Sequence, residues 1–232
     1  MDISVFDVVG PIMIGPSSSH TAGAARLARA ARQIVGRPFI KVSFGLHGSF
    51  AKTYKGHGTD RALVAGALGY REDDERLAKS FELAKAQGLL FDFYELDMEG
   101  LHENSVKITF ALADDSLFSV IGSSIGGAQI IIKDINGFAV DFSAQAPTLI
   151  ISQYDKKGVI SEISTVLANN DINIGIMKLS RQGKGELASC LIETDDPVPD
   201  AVVANLRSLK NVLSVQAIDM TDRQGGVNKA DV

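Results

Sequence analysis

Thr148-Leu149-Ile150-Ile151-Ser152-Gln153 reads as a strand, rich in branched apolar side chains and free of glycine and proline. A helix over Val159–Asn169 follows, with Val159, Ile163, Val166 and Leu167 on one apolar stripe at spacings of three and four. Ile172–Ser180 and Leu187–Thr194 are the next strands, separated by the turn Gly183-Lys184-Gly185. A second helix over Asp200–Leu209 and a last strand over Val212–Asp219 complete the order βαββαβ. That order implies a four-stranded antiparallel sheet with both helices on one face, a ferredoxin-like topology over residues 148–220.

Outward from this unit, Ser143–Pro147 is a short linker, and the polar, Gly-containing tail over 221–232 is expected to be disordered. Residues 1–145 mix helices and strands, so the fold class is α+β. Strands are expected at Phe39–Leu46, Phe91–Met98, Ser105–Leu112, Leu117–Ile121, Gln129–Ile135 and Phe138–Phe142, with Asn136-Gly137 as a hairpin turn. Helices are expected at Thr21–Val35, at Thr59–Leu68 with Thr59 or Asp60 as cap, and at Asp73–Gln87. Met1–Gly15 reads as a buried first strand or turn, without the basic start of a signal peptide. Arg26, Arg29 and Arg32 recur every third residue and read as a solvated or subunit-facing stripe.

The 232 residues are 45% hydrophobic and 22% charged with a net charge of -5, an ordinary soluble composition. Neither the net charge nor any block of like charge favours nucleic acid or an anionic membrane, and no apolar run is long enough to span a bilayer. Cys190 is the single cysteine, which fits a reducing, cytoplasmic compartment and cannot supply the several thiolates of an iron–sulfur cluster.

The chemistry concentrates in Gly15-Pro16-Ser17-Ser18-Ser19-His20-Thr21, directly before an Ala-rich helical run. Hydroxyls and free N–H groups at a helix start favour an anion, so the stretch reads as a carboxylate or phosphate pocket beside an imidazole. Capping accounts for one serine but not for three serines with His-Thr. A Ser19–His20 nucleophile pair is the rival reading. Adjacent side chains usually diverge, and the stretch lacks the G-x-S-x-G elbow. Lys55-Gly56-His57-Gly58-Thr59-Asp60-Arg61 is the second polar loop; its glycines permit close approach of a ligand to His57.

Taken together, GPSSSHT, KGHGTDR, His102-Glu103-Asn104 and Gly126-Gly127 resemble, in order and spacing, the beta subunit of iron–sulfur-dependent L-serine dehydratase. Asp155, Gly158 and Asn173 in the second half resemble the amino-acid-sensing loops of an ACT domain. The resemblance implies a substrate-binding domain followed by an ACT domain, and conversion of L-serine to pyruvate and ammonia. It also implies a four-iron–four-sulfur cluster, a Lewis acid for the departing hydroxyl, ligated by a partner alpha subunit and not by this chain. On that reading His57 is the general base, with His20 as the alternative. Ser17, Ser18, Ser19 and Thr21 hold the substrate carboxylate. Lys55 pairs with it or is a surface charge, and Asn104 orients the substrate or is loop polarity. Asp155, Gly158 and Asn173 would take an amino-acid effector between paired ACT copies, or those copies pair without a ligand. The alternative for the whole chain is a non-catalytic subunit that senses serine and dimerises through its ACT domain.

Overall fold

The computed structural model describes residues 13–221. Of the readings of Met1–Gly15 as a buried first strand or turn and of 221–232 as a disordered tail, residues 1–12 and 222–232 lie outside the described residues; Met13–Gly15 form no strand and Gly15 is exposed.

Six strands form the first sheet, in the order β2-β1-β3-β4-β5-β6. They are β1 (Phe39–Leu46), β2 (Leu90–Glu95), β3 (Ser105–Leu112), β4 (Leu117–Gly126), β5 (Gln129–Ile135) and β6 (Phe138–Phe142). Only β1 and β2 are parallel. A parallel pair needs a crossover. The intervening chain supplies it with α2 (Gly48–Thr53), α3 (Thr59–Ala67), a 3₁₀ turn (Glu75–Lys79) and α4 (Ser80–Ala86). The hairpin between β5 and β6 turns at Asn136 and Gly137, both at positive φ.

Helix α1 (Ala24–Val35) is buried along most of its length, from Ala24 to Val35, because the sheet, α3 and the C-terminal strand all pack on it. Its contact with α3 is unusually close. A Cβ added at Gly66 would stand 2.2 Å from the Ala25 carbonyl oxygen and 2.8 Å from the Ala28 Cβ. Further along, the Arg32 guanidinium donates to the Ala67 carbonyl at 2.9 Å and lies over the Phe39 ring. The first turn of α1 thus packs on the last turn of α3, and the chain just before α1 runs back towards the start of α3.

Several expectations are corrected here. The helix expected from Thr21 is a π-helical turn (Ser18–Gly23) running into α1, and the one expected over 73–87 is the 3₁₀ turn followed by the shorter α4. The cap of α3 is Gly58, in the left-handed region, and not Thr59 or Asp60; the Asp60 carboxylate instead accepts the neighbouring Arg61 N–H. Two of the three arginines of the stripe are not solvated, whereas Arg32 is exposed. Arg26 and Arg29 are 16% and 11% exposed and face the buried Glu72, since this side of α1 lies against the loop that leaves α3.

The second sheet has the order β10-β7-β9-β8, all antiparallel. Its elements are β7 (Thr148–Tyr154), α5 (Val159–Ala168), β8 (Ile174–Arg181), β9 (Leu187–Thr194), α6 (Asp200–Ser208) and β10 (Val212–Ile218). Leu149, Ile151, Cys190, Ile192 and Val215 close a core with Val159, Ile163, Leu167 and Leu206 of the helices. The opposite face is not left to solvent: Ile150, Leu191 and Ile218 join the core of the first half. Gln33 of α1 exchanges two hydrogen bonds with the Asp219 backbone. Lys178 and Ser180 of β8 donate to the carbonyls of Asp141 and Ala139 on β6.

Gly66→Ala forces a methyl into the Ala25 carbonyl and is expected to lower stability by about 1–3 kcal/mol, as overpacking does. Gly56→Ala, where the nearest atom to a new Cβ is 3.7 Å away, is the control. Urea denaturation midpoints measure both; equal midpoints would contradict the close approach.

Candidate active site

The π-helical turn is built by its own hydroxyls. Ser17 is its cap, in extended conformation, and the Ser17 Oγ accepts the His20 N–H at 3.1 Å. The Ser17 carbonyl accepts both the Thr21 and the Ala22 N–H, at 3.0 and 3.3 Å; the second is the wide bond that defines a π turn. Gly15 enters the turn at φ +125°, where a Cβ would strike the Thr21 side chain. Gly23 leaves it against Ser124 of β4, with room for no methyl: a Cβ would fall 1.9 Å from the Ser124 Oγ.

This geometry aims His20 inward. Its Nδ1 lies 3.1 Å from the Ser19 Oγ and its Nε2 3.0 Å from the Ser49 Oγ on α2, while its ring meets the Phe50 edge at 5.3 Å. Ser19 and His20, expected to diverge as sequence neighbours, do not: the π turn folds the two side chains together. A nucleophile triad still has no counterpart, because the far nitrogen faces a serine hydroxyl and not a carboxylate.

The second loop meets the first. The Thr21 hydroxyl donates to the His57 carbonyl at 2.9 Å, and the His20 and His57 rings stand 4.9 Å apart between centroids. Burial first, and the charge on His57 second, hold the His20 pKa below its ordinary value of 6.5. His20 is thus a neutral imidazole near pH 7. Asp60, close by, is shifted the other way, its pKa raised by burial against the opposing Arg61 N–H bond.

A cleft of about 530 Å³ opens between the loops. Ile14, Gly15, Pro16 and Thr21 form one side, Lys55, His57, Asp60 and Arg61 the other, and Leu77 and Phe81 the apolar floor. Of the hydroxyls singled out by sequence, Thr21 reaches this cleft. Ser17 is used in capping, Ser19 holds His20, and Ser18 sits half-buried within the turn. Lys55 and His57 are exposed, with the Lys55 ammonium over the Tyr54 ring.

Asn104 lies behind His20. The adjoining Glu103 carbonyl accepts the Ser49 N–H at 2.8 Å, and the Asn104 carbonyl accepts the Ser124 N–H at 2.9 Å. The Asn104 Oδ1 and the Ser124 Oγ are both buried without a hydrogen-bond partner. Sequence reading missed Ser49 altogether. It belongs to no motif, and its position depends on Gly48, whose positive φ lets the backbone press against Glu103.

In the C-terminal unit the three singled-out residues do not meet within one chain. The Asp155 carboxylate accepts from the Gly185 N–H and from Arg181, both at 3.1 Å; these bonds, the backbone one foremost, hold its pKa below the usual carboxylate value. Gly158, at φ +93°, starts α5 near that end. Asn173 bonds Asp195 at the other end of β8, where Ile174 pairs with Thr194. The ends of β8 are roughly 23 Å apart at ~3.3 Å per residue.

Among known proteins, a family model for the serine dehydratase beta chain matches residues 4–134, more than half of the chain. The chain belongs to the serine dehydratase beta chain family. An ACT domain model matches residues 148–211, so the beta-chain domain is followed by an ACT domain. An L-serine dehydratase beta chain of Peptoniphilus asaccharolyticus is 40% identical, with 94% of this chain and 99% of that one aligned. A probable L-serine dehydratase beta chain of Bacillus subtilis is 42% identical over 93% and 97%. D-3-phosphoglycerate dehydrogenase of Bacillus subtilis is 30% identical over 85% of this chain and 37% of that one. The ACT domain of GTP pyrophosphokinase from Chlorobium tepidum aligns with 31% of this chain and 95% of its own, at 23% identity and a TM-score of 0.27. No helix among the described residues is long and apolar enough to cross a membrane.

The iron–sulfur cluster associated with the serine dehydratase family finds no ligand set among the described residues. Cys190 faces the helices of the ACT core, and burial pushes its thiol up to about 11, away from the thiolate a metal needs. Among the described residues no three His, Cys, Asp or Glu side chains are grouped to hold a metal.

His57→Asn removes the charge that helps depress His20, so the His20 ring is expected to titrate at higher pH in the variant, still below 6.5 because burial remains. Imidazole proton shifts followed against pH check this; an unmoved His20 midpoint contradicts the coupling. The sign for stability follows from linkage. The unfolded chain binds protons at His20 more readily than the folded one, so this contribution is complete above about 6.5 and is lost as pH falls towards the folded value.

Proposed function

We propose that this chain is the serine-binding beta subunit of an L-serine dehydratase, taking L-serine in the cleft between the Gly15–Thr21 turn and the Lys55–Arg61 loop. The observation that carries the reading is the meeting of Thr21, Lys55 and His57 at one cleft, where the π-helical turn comes against the start of α3. Two helix starts and an ammonium make a positive end suited to the substrate carboxylate. The Thr21 hydroxyl, already donating to His57, keeps lone pairs for the α-ammonium.

His57 is the general base in this proposal. It lines the cleft and is open to it, whereas both nitrogens of His20 already face hydroxyls. The imidazole takes the α-proton, and the C–H electron pair forms the Cα–Cβ double bond. The β-hydroxyl leaves with its own bonding pair as hydroxide, so that proton and hydroxide together amount to one water lost. The aminoacrylate left behind tautomerises to an imine, which water hydrolyses to pyruvate and ammonia. His20 acts as the alternative base only if the turn reopens; its place otherwise is to orient the loop. The buried, unpartnered Asn104 Oδ1 and Ser124 Oγ supply polar groups behind the two imidazoles.

Ligation of the four-iron–four-sulfur cluster falls to a partner alpha subunit on this reading, in the cytoplasm, since the single buried cysteine fits a reducing compartment. The ACT domain serves self-association. An amino-acid effector held jointly by Asp155, Gly158 and Asn173 needs two copies, because one chain places them at opposite strand ends.

Co-purified with its alpha subunit under anaerobic conditions, the His57→Ala variant is expected to lose about 10²–10⁴-fold in kcat, the usual contribution of a positioned base. Its melting temperature should stay close to that of the parent, as befits an exposed side chain. Turnover that survives, with only its dependence on serine concentration altered, would instead establish the chain as a sensing subunit.

A further inference from the structure

Glu72 is a charged residue that the proposed chemistry does not use, and it is only 2% exposed. It leaves α3 in the loop before the 3₁₀ turn. Its two carboxylate oxygens face Arg26 Nη1 and Arg29 Nη2 of α1, each at 3.5 Å. Its backbone carbonyl accepts the Ile14 N–H at 3.0 Å.

These contacts lie on both sides of one segment. Ile14 immediately precedes the Gly15–Thr21 turn, and Arg26 and Arg29 follow it on the next turns of helix. A single residue therefore holds the chain before and after the turn. It also stands at the start of the loop that carries Leu77 and Phe81 to the cleft floor. Nothing in α1's own packing needs a carboxylate there: its apolar faces are met by the sheet and by α3. A buried carboxylate between two guanidiniums is costly to desolvate, and that cost is offset only while the charges keep their geometry.

We propose that Glu72 is a positioning residue that clamps the Gly15–Thr21 turn against the His57 loop and so sets the width of the substrate cleft. The assignment of the cleft to substrate rests on the function proposed above; the clamp itself does not. Glu72→Gln keeps the shape and the backbone bond but removes the charge that the two arginines face. Glu72→Asp keeps the charge on a shorter arm.

Hydrogen exchange of the full chain reads the clamp directly. In Glu72→Gln the Thr21 and Ala22 amides, which bond to the Ser17 carbonyl, should exchange about tenfold faster while amides of α3 and β3 are unchanged, the pattern of a local opening. Glu72→Asp should restore part of the protection. Unchanged exchange at Thr21 and Ala22, or protection lost equally across α3 and β3, overturns the clamp. In the complex with the alpha subunit, the KM for L-serine should rise about tenfold with kcat within about twofold, the signature of lost substrate positioning. An unaltered KM overturns the control of cleft width. If His57→Ala retains turnover while Glu72→Gln still loosens the turn, the catalytic reading fails and the clamp stands.

Discussion

The close approach of α1 to α3 is the constraint on which the cleft depends. Gly66 has no side chain, so the Ala25 carbonyl comes closer to its Cα than any Cβ would allow. Ala25 and Ala28 on the facing helix are equally small. At that separation the π turn before α1 lies against the start of α3, and the Thr21 hydroxyl reaches the His57 carbonyl. Larger residues at the crossing would push the two polar loops apart. The sheet adds the third constraint: Ser124 of β4 abuts Gly23, so the π turn is pinned between β4 and α3.

Electrostatics follow from this packing. Two imidazoles held 4.9 Å apart by backbone geometry cannot both carry charge cheaply, and the more buried of them stays neutral. That leaves His57 at the open side of the cleft, while His20 is tied to Ser19 and Ser49. Similar sharing of roles between neighbours is visible in the triplet of serines. One caps, one holds a ring, and their joint effect is to place Thr21.

Much of the fold is legible in the sequence where hydrophobic pattern alone decides it. Strands β1, β3, β5, β6 and β9 fall where branched and aromatic residues alternate, and the βαββαβ order marks out the ACT unit. The misreadings have physical causes. Gly122-Ser123-Ser124 are poor strand formers, yet β4 continues through them because β3 and β5 both pair with it. The split of the first helix into a π turn and α1 depends on which carbonyl Ala22 bonds, which composition does not encode. Arg26 and Arg29 read as solvated because their partner, Glu72, lies far along the chain, beyond β1 and α3. The histidine loops are visible as motifs; Ser49, brought in by Gly48 and Glu103, is not.

The account stands on serine entering the cleft beside His57. Imidazole resonances followed while L-serine is titrated into the full chain test this most directly, since the chain has 4 histidines. Saturable shifts at His57 and His20, with His47 and His102 unmoved, are the predicted result. Saturable shifts confined to the ACT domain around Asp155 and Asn173, with the His57 ring silent, would contradict it.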